Sequence, residues 1–140
     1  MSNKDLCFDE MTLTLQQALD LAVKHHSQGD LTRAAQIYEL ILNSYPSQPD
    51  ALHLLGVVYH KQGNNDRAVD LIEQALTSKN DFAAAHNNLG NIRKSMGQLD
   101  KSVEHFTKAI EIKHDYFNAH YNLANTFQQL GKFDSAITSF

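Results

Sequence analysis

The sequence carries a single cysteine, Cys7, and only two prolines, Pro46 and Pro49. One cysteine cannot form an internal disulfide. Cys7 lies in a polar segment and is expected to be an exposed thiol. The two prolines sit together and mark one junction, where they stop one helix and set the next. Basic residues are in deficit, with 12 Lys and Arg against 16 Asp and Glu and a net charge of −4. Without clustered Lys and Arg the chain lacks the footprint of a nucleic-acid binder, so no nucleic-acid partner is expected. No apolar run of about 18 residues occurs, which excludes a helical membrane span. Residues 1–10 have no apolar core and no cleavage-type ending, so they do not read as a secretory signal. The expectation is a cytoplasmic protein of one domain's length.

What is present is a period. Gly29, Gly63, Gly97 and Gly131 lie 34 residues apart. With Leu15, Pro49, Ala83 and Phe117 as first residues of successive units, the frame holds to Phe140 without insertion or deletion. Position 7 reads Leu21, Leu55, Leu89, Leu123, and position 8 reads Ala22, Gly56, Gly90, Ala124. Position 20 reads Ala34, Ala68, Ser102, Ala136, and position 24 reads Tyr38, Ile72, Phe106, Phe140. Every glycine falls at position 8 or 15. A fixed period of this length marks a stack of one supersecondary unit. The glycine at position 15 is expected to end the first helix of each unit in the left-handed region. Position 18, with Thr32, Asp66, Asp100 and Asp134, is expected to cap the second helix. Small residues at 8 and 20 let the two helices approach closely, and the large residues at 7 and 24 fill the space beside them. Thr14 and Gln17 fit a capping box opening the first helix.

This pattern resembles the tetratricopeptide repeat, a 34-residue helix–turn–helix family. The resemblance implies an all-α, right-handed superhelical α-solenoid. It divides the chain into a polar leader at 1–14, repeats at 15–48, 49–82 and 83–116, and a fourth at 117–140 that stops at repeat position 24. The proline usual at position 32 appears only as Pro46, and His86 and His120 stand at position 4 as packing residues. Solenoids normally end in a capping element. The chain is therefore expected to be the N-terminal part of a longer bacterial protein, and its uncapped C-terminal end to self-associate.

In the family the first helix of each unit lines a concave groove, and its helical period puts positions 2, 5, 9 and 12 on one face. The expected peptide-binding groove comprises His53, Val57, Asn87, Asn88, Asn91, Lys94, Asn118, Tyr121, Asn122, Asn125 and Gln128. The later repeats are rich in amides, which carry donors and an acceptor and can pair with the backbone of an extended peptide. Asn88 and Asn122 share position 6, and an asparagine ladder there resembles the groove of O-linked N-acetylglucosamine transferases. The chaperone-tail clamp of some family members needs Lys at position 5 and Asn at 9 in one repeat, Asn at 6 in the next, and Lys and Arg at 2 and 6 in the third. The two possible frames give Leu19, Val23, Leu54, Ala84 and Asn88, or His53, Val57, Asn88, Asn118 and Asn122, and neither supplies the basic groups, so the clamp is not expected.

Eight histidines invite a metal reading, but no pair has the i, i+4 ligand spacing of a helical zinc site. Packing and capping account for all the glycines, so no phosphate-cradling loop remains, and Ser102 occupies a packing position. No catalytic residue, metal or cofactor is expected. Three functional readings stay open. One is a protein–protein interaction module binding an extended segment. A second is the substrate-presenting array of a glycosyltransferase, since residues 33–42, 50–56 and 85–90 are similar to the arrays of bacterial O-linked N-acetylglucosamine transferase (SPINDLY-like) proteins. The third is a self-assembling scaffold.

Overall fold

The computed structural model describes the backbone of residues 5–138 and the side chains of residues 5–131. Its elements run β1 (Leu6–Phe8), β2 (Met11–Leu13), α1 (Leu15–Ser27), α2 (Leu31–Ser44), α3 (Pro49–Lys61), α4 (Asn65–Ser78), α5 (Ala83–Ser95), α6 (Leu99–Ile112) and α7 (Phe117–Thr138). This is an all-α helical repeat preceded by a small hairpin. Contacts divide it into two compact units, Met1–Asn80 and Asp81–Phe140, with two repeats in each.

The same turn closes α1, α3 and α5. Gly29, Gly63 and Gly97 have φ of 82°, 84° and 78°. After each glycine the next amide reaches back five residues, Asp30 to the His25 carbonyl, Asn64 to Tyr59 and Gln98 to Arg93, all at 2.9 Å. This is the Schellman geometry that only a left-handed residue permits without strain. The residue after the glycine is already the N-cap of the next helix. Asp30 Oδ1 accepts from the Arg33 amide at 3.2 Å, and Asn64 Oδ1 from the Arg67 amide at 3.3 Å. The cap is thus at position 16, and the expectation of position 18 is corrected. Asp66 and Asp100 lie in the first turns of α4 and α6. There their charge meets the positive end of the helix dipole instead of a free amide.

Packing inside each pair follows the small-large code. A Cβ on Gly56 would sit 2.6 Å from Ile72 Cγ1, and one on Gly90 2.6 Å from Phe106 Cε1. Ser102 Oγ donates to the Gly90 carbonyl at 2.8 Å, so the hydroxyl at this close approach is satisfied. Leu55 and Leu89 are buried, whereas Leu21 and Leu123 are half-buried. Tyr38, Ile72 and Phe106 are fully buried. The core of the first unit joins Ala18, Ile37, Tyr38, Leu55 and Val58 to Leu6 of the hairpin. In the second unit Ala85, Leu89, Ile92, Phe106 and Ala119 are buried.

Two elements depart from the sequence expectation. The leader at 1–14 is not merely polar. Residues 6–13 pair as an antiparallel hairpin with Phe8 opposite Met11, and Leu6 is buried. Its two-residue turn is Asp9-Glu10, with φ of 48° and 66°. Positive φ at both places is what the twist of a tight hairpin demands. Arg33 Nη1 reaches Asp9 Oδ2 at 2.9 Å and ties the turn to α2. Then, at Thr14, the expected capping box is in place. Thr14 Oγ1 accepts from the Gln17 amide at 3.2 Å, and Gln17 Oε1 accepts from the Thr14 amide at 2.9 Å. Cys7 is exposed.

The second departure is α7, which runs unbroken through Gly131 to Thr138. The turn expected at that glycine does not form. Position 16 of this repeat is Lys132, where Asp30, Asn64 and Gln98 stand earlier, and Gln98 opens α6 with no side-chain cap bond. An ammonium has no acceptor with which to cap a following helix, and Gly131 by itself permits the turn without enforcing it. The expected cap Asp134, packing residue Ala136 and core residue Phe140 lie outside the residues whose side chains are described. His120 is exposed and bonds the His114 carbonyl at 2.8 Å, so it does not pack as His86 does. His86 is buried and stacked on His105, with ring centroids 5.9 Å apart.

Candidate functional site

In the second unit α5 places Asn87, Asn88, Asn91 and Lys94 at repeat positions 5, 6, 9 and 12. α7 places Tyr121, Asn122, Asn125 and Gln128 at the same positions, with Asn118 one turn earlier. Both helices are regular there, so each set shares a face through the 3.6-residue period. Asn122 Nδ2 donates to Asn87 Oδ1 over 3.1 Å. Asn87 is only 5% exposed, so this bond lies in the seam between the two helices. The Asn87 side chain also bonds the Tyr116 hydroxyl. Burial pushes the Tyr116 phenol upward, and the bond from Asn87 pulls it part of the way back.

Asn88, Asn91, Lys94, Asn122 and Asn125 are half-buried, whereas Asn118, Tyr121 and Gln128 are exposed. Position 5 in α5 is therefore seam, and positions 6 and 9 are wall. The Asn87–Asn122 bond joins position 5 of one repeat to position 6 of the next. The sequence signal for it was two amides 35 residues apart, one more than the period. Tyr116 was not anticipated as a partner.

The expected groove residues of the first unit lie on α3. His53 is 5% exposed and Val57 half-buried. Burial drives the His53 imidazole down to about 4, with His26 pushing the same way and Asp50 opposing. Nearby is a polar cluster that the sequence did not reveal. Lys61 Nζ lies 3.2 Å from His26 Nε2, and the Tyr38 hydroxyl 3.5 Å from His26 Nδ1. An ammonium can only donate, so Nε2 accepts and the ring proton resides on Nδ1, toward Tyr38. Burial first, and the Lys61 charge second, lower the pKa of His26. Among the described residues no group of three or more His, Cys, Asp or Glu could hold a metal ion, and no helix is long and apolar enough to cross a membrane.

The chain matches the tetratricopeptide repeat model over residues 25–92 and the TPR repeat model over residues 90–131. Together these span most of the sequence. The chain belongs to the tetratricopeptide repeat family. No curated protein matches it in sequence. Among solved structures, this tetratricopeptide repeat chain is similar to an O-GlcNAc transferase from Thermobaculum terrenum, at 28% identity and a TM-score of 0.78, covering 80% of this chain and 22% of that one. It thus spans less than a quarter of that transferase chain. The Sgt2 TPR domain from Aspergillus fumigatus matches at a TM-score of 0.82 and 17% identity, covering 93% of this chain and 85% of that one. The Yersinia enterocolitica type III secretion chaperone SycD, in complex with a peptide of the translocator YopD, matches at 0.75 and 13%, covering 82% and 93%. At those identities the last two likenesses concern the fold. The first has the highest identity of the three, and it is an O-GlcNAc transferase, the kind of protein whose array the sequence also resembles.

Proposed function

We infer that the chain is a protein–protein interaction module that takes an extended peptide segment along the first helices of its repeats. The observation that carries this reading is the amide wall of α5 and α7, with Asn88 and Asn122 at position 6 and Asn91 and Asn125 at position 9. An amide offers two donors and an acceptor. Pairing with Asn87 uses one donor of Asn122. Amides of this kind match the alternating N–H and C=O of an extended backbone and are indifferent to its side chains. Asn87, held by Asn122 and Tyr116, positions the wall rather than touching the ligand. Tyr121, 69% exposed, supplies an apolar face beside it.

The test is calorimetric titration with a peptide selected from a library of unstructured 12-residue segments. Asn88→Ala with Asn125→Ala should weaken binding at least tenfold while helicity by circular dichroism stays the same. Undiminished affinity would remove the case for the amide wall.

A second reading is favoured by the 28% identity to the O-GlcNAc transferase over 80% of the chain. There the same wall presents a protein substrate to a glycosyltransferase domain in the parent protein, and the repeats themselves carry no chemistry. The reading frame beyond residue 140 tests it. A glycosyltransferase domain with a nucleotide-sugar site is the result expected, and further repeats alone would exclude it.

A further inference from the structure

The second and third repeats each dock their second helix on position 8 of their first. Gly56 takes Ile72 and Ala68 of α4, and Gly90 takes Phe106 and Ser102 of α6, at the close approaches described above. The fourth repeat has the same receiving position, Ala124, but it is exposed. Leu123 beside it is half-buried, where Leu55 and Leu89 are buried. Phe127 is 54% exposed. The docking half is also encoded, because residues 132–140 carry Ala136 at position 20 and Phe140 at position 24. The straight α7 keeps the two halves apart. Residues 124 and 136 of one continuous helix are separated by roughly 18 Å along its axis, so a chain with this helix cannot dock its own Ala136 on its own Ala124.

We propose that a second copy of the chain supplies the missing helix. The C-terminal part of α7 in each copy lies on the Ala124 face of the other, giving a two-fold, domain-swapped dimer through α7. The occupant is identified by pattern. The face is shaped for a helix with a small residue at repeat position 20 and a large apolar one at 24, and the segment of that pattern is tethered where only another molecule's face is within reach. Reciprocal exchange closes the symmetry, so the assembly stops at two. It would also complete the fourth repeat, which presents Tyr121, Asn122 and Asn125. Gly131 is the residue at which a closed, monomeric hairpin would otherwise turn.

Directed cross-linking in a Cys7→Ser background tests this. Positions 8 and 20 touch within a docked pair, so an oxidised Ala124→Cys/Ala136→Cys double variant should run as a covalent dimer that reducing agent returns to monomer. An equimolar mixture of the two single variants should cross-link, and neither should do so alone. An intramolecular bond in the double variant would overturn the proposal, since it reports the hairpin within one chain. Cross-linking by Ala124→Cys alone would overturn it too, since it reports face-to-face packing without exchange. So would a monomer by light scattering of the unaltered chain across the micromolar to millimolar range, with no cross-link formed.

Discussion

Leu89 and Gly97 show the two ways in which one residue holds the repeat. Leu89 is fully buried. Leu89→Ala should therefore cost about 2–5 kcal/mol in urea unfolding, from lost burial and the cavity left behind. Gly97 has open space around its missing Cβ but a φ of 78°. Gly97→Ala should cost only about 1 kcal/mol, all of it backbone conformation. The amide pair is a third case. Asn122→Ala leaves the Asn87 oxygen in its seam with one donor fewer, and a buried acceptor so treated costs about 1–3 kcal/mol. A double-mutant cycle with Asn87→Ala should show coupling of about the same size as the single loss. Additive effects would mean the bond contributes nothing to the seam. The leucine, glycine and small-residue series were legible because each position has one stringent requirement repeated at one interval. Burial of Asn87 was not, because nothing in an asparagine tells a seam position from an exposed one.

At the scale of elements, periodicity located the six helices of the first three repeats, since each needs an apolar stripe and a stop. It missed the hairpin, whose strands are three residues long and whose turn carries no glycine. Strands that short have no readable alternation. An Asp-Glu turn also lacks the usual signal for positive φ. That turn gives a prediction. Glu10→Gly removes the Cβ penalty at a φ of 66° and should stabilise the first unit by about 1 kcal/mol, read as a higher urea midpoint. The ion pair between Asp9 and Arg33 is exposed on both sides, so Asp9→Ala is expected to change stability by less than about 1 kcal/mol through it. The straight α7 was equally unreadable from its glycine. The next residue, Lys132, offers no acceptor to cap a following helix, but Gln98 makes no side-chain cap bond either and α6 still forms, so the missing cap does not by itself explain the straight helix.

For the molecule as a whole, acid is the condition that bears on both units at once. Burial holds His53, in the first, near a pKa of about 4. Burial does the same to His105 in the second, with the charges of His86, Arg93, Lys101 and Lys108 adding to it. An unfolded imidazole titrates near 6.5. Between those values the unfolded chain holds more protons than the folded one, so stability rises with pH through this window. Unfolding free energy should accordingly stay level above about pH 7 and fall progressively between about 6.5 and 4, with His53→Leu making the fall shallower. A stability that holds constant on acidification through that window would contradict the neutral state of buried His53 and half-buried His105.

The side-chain amide resonances of the asparagines give the most direct view of the wall on α5 and α7. In a nitrogen-15 correlation spectrum, titration with a selected extended peptide should move the NH2 signals of Asn88, Asn91, Asn122 and Asn125. The same signals should move when the peptide's own side chains are reduced to alanine. Shifts confined to the α6 face, or lost with the peptide's side chains, would contradict backbone capture by amides.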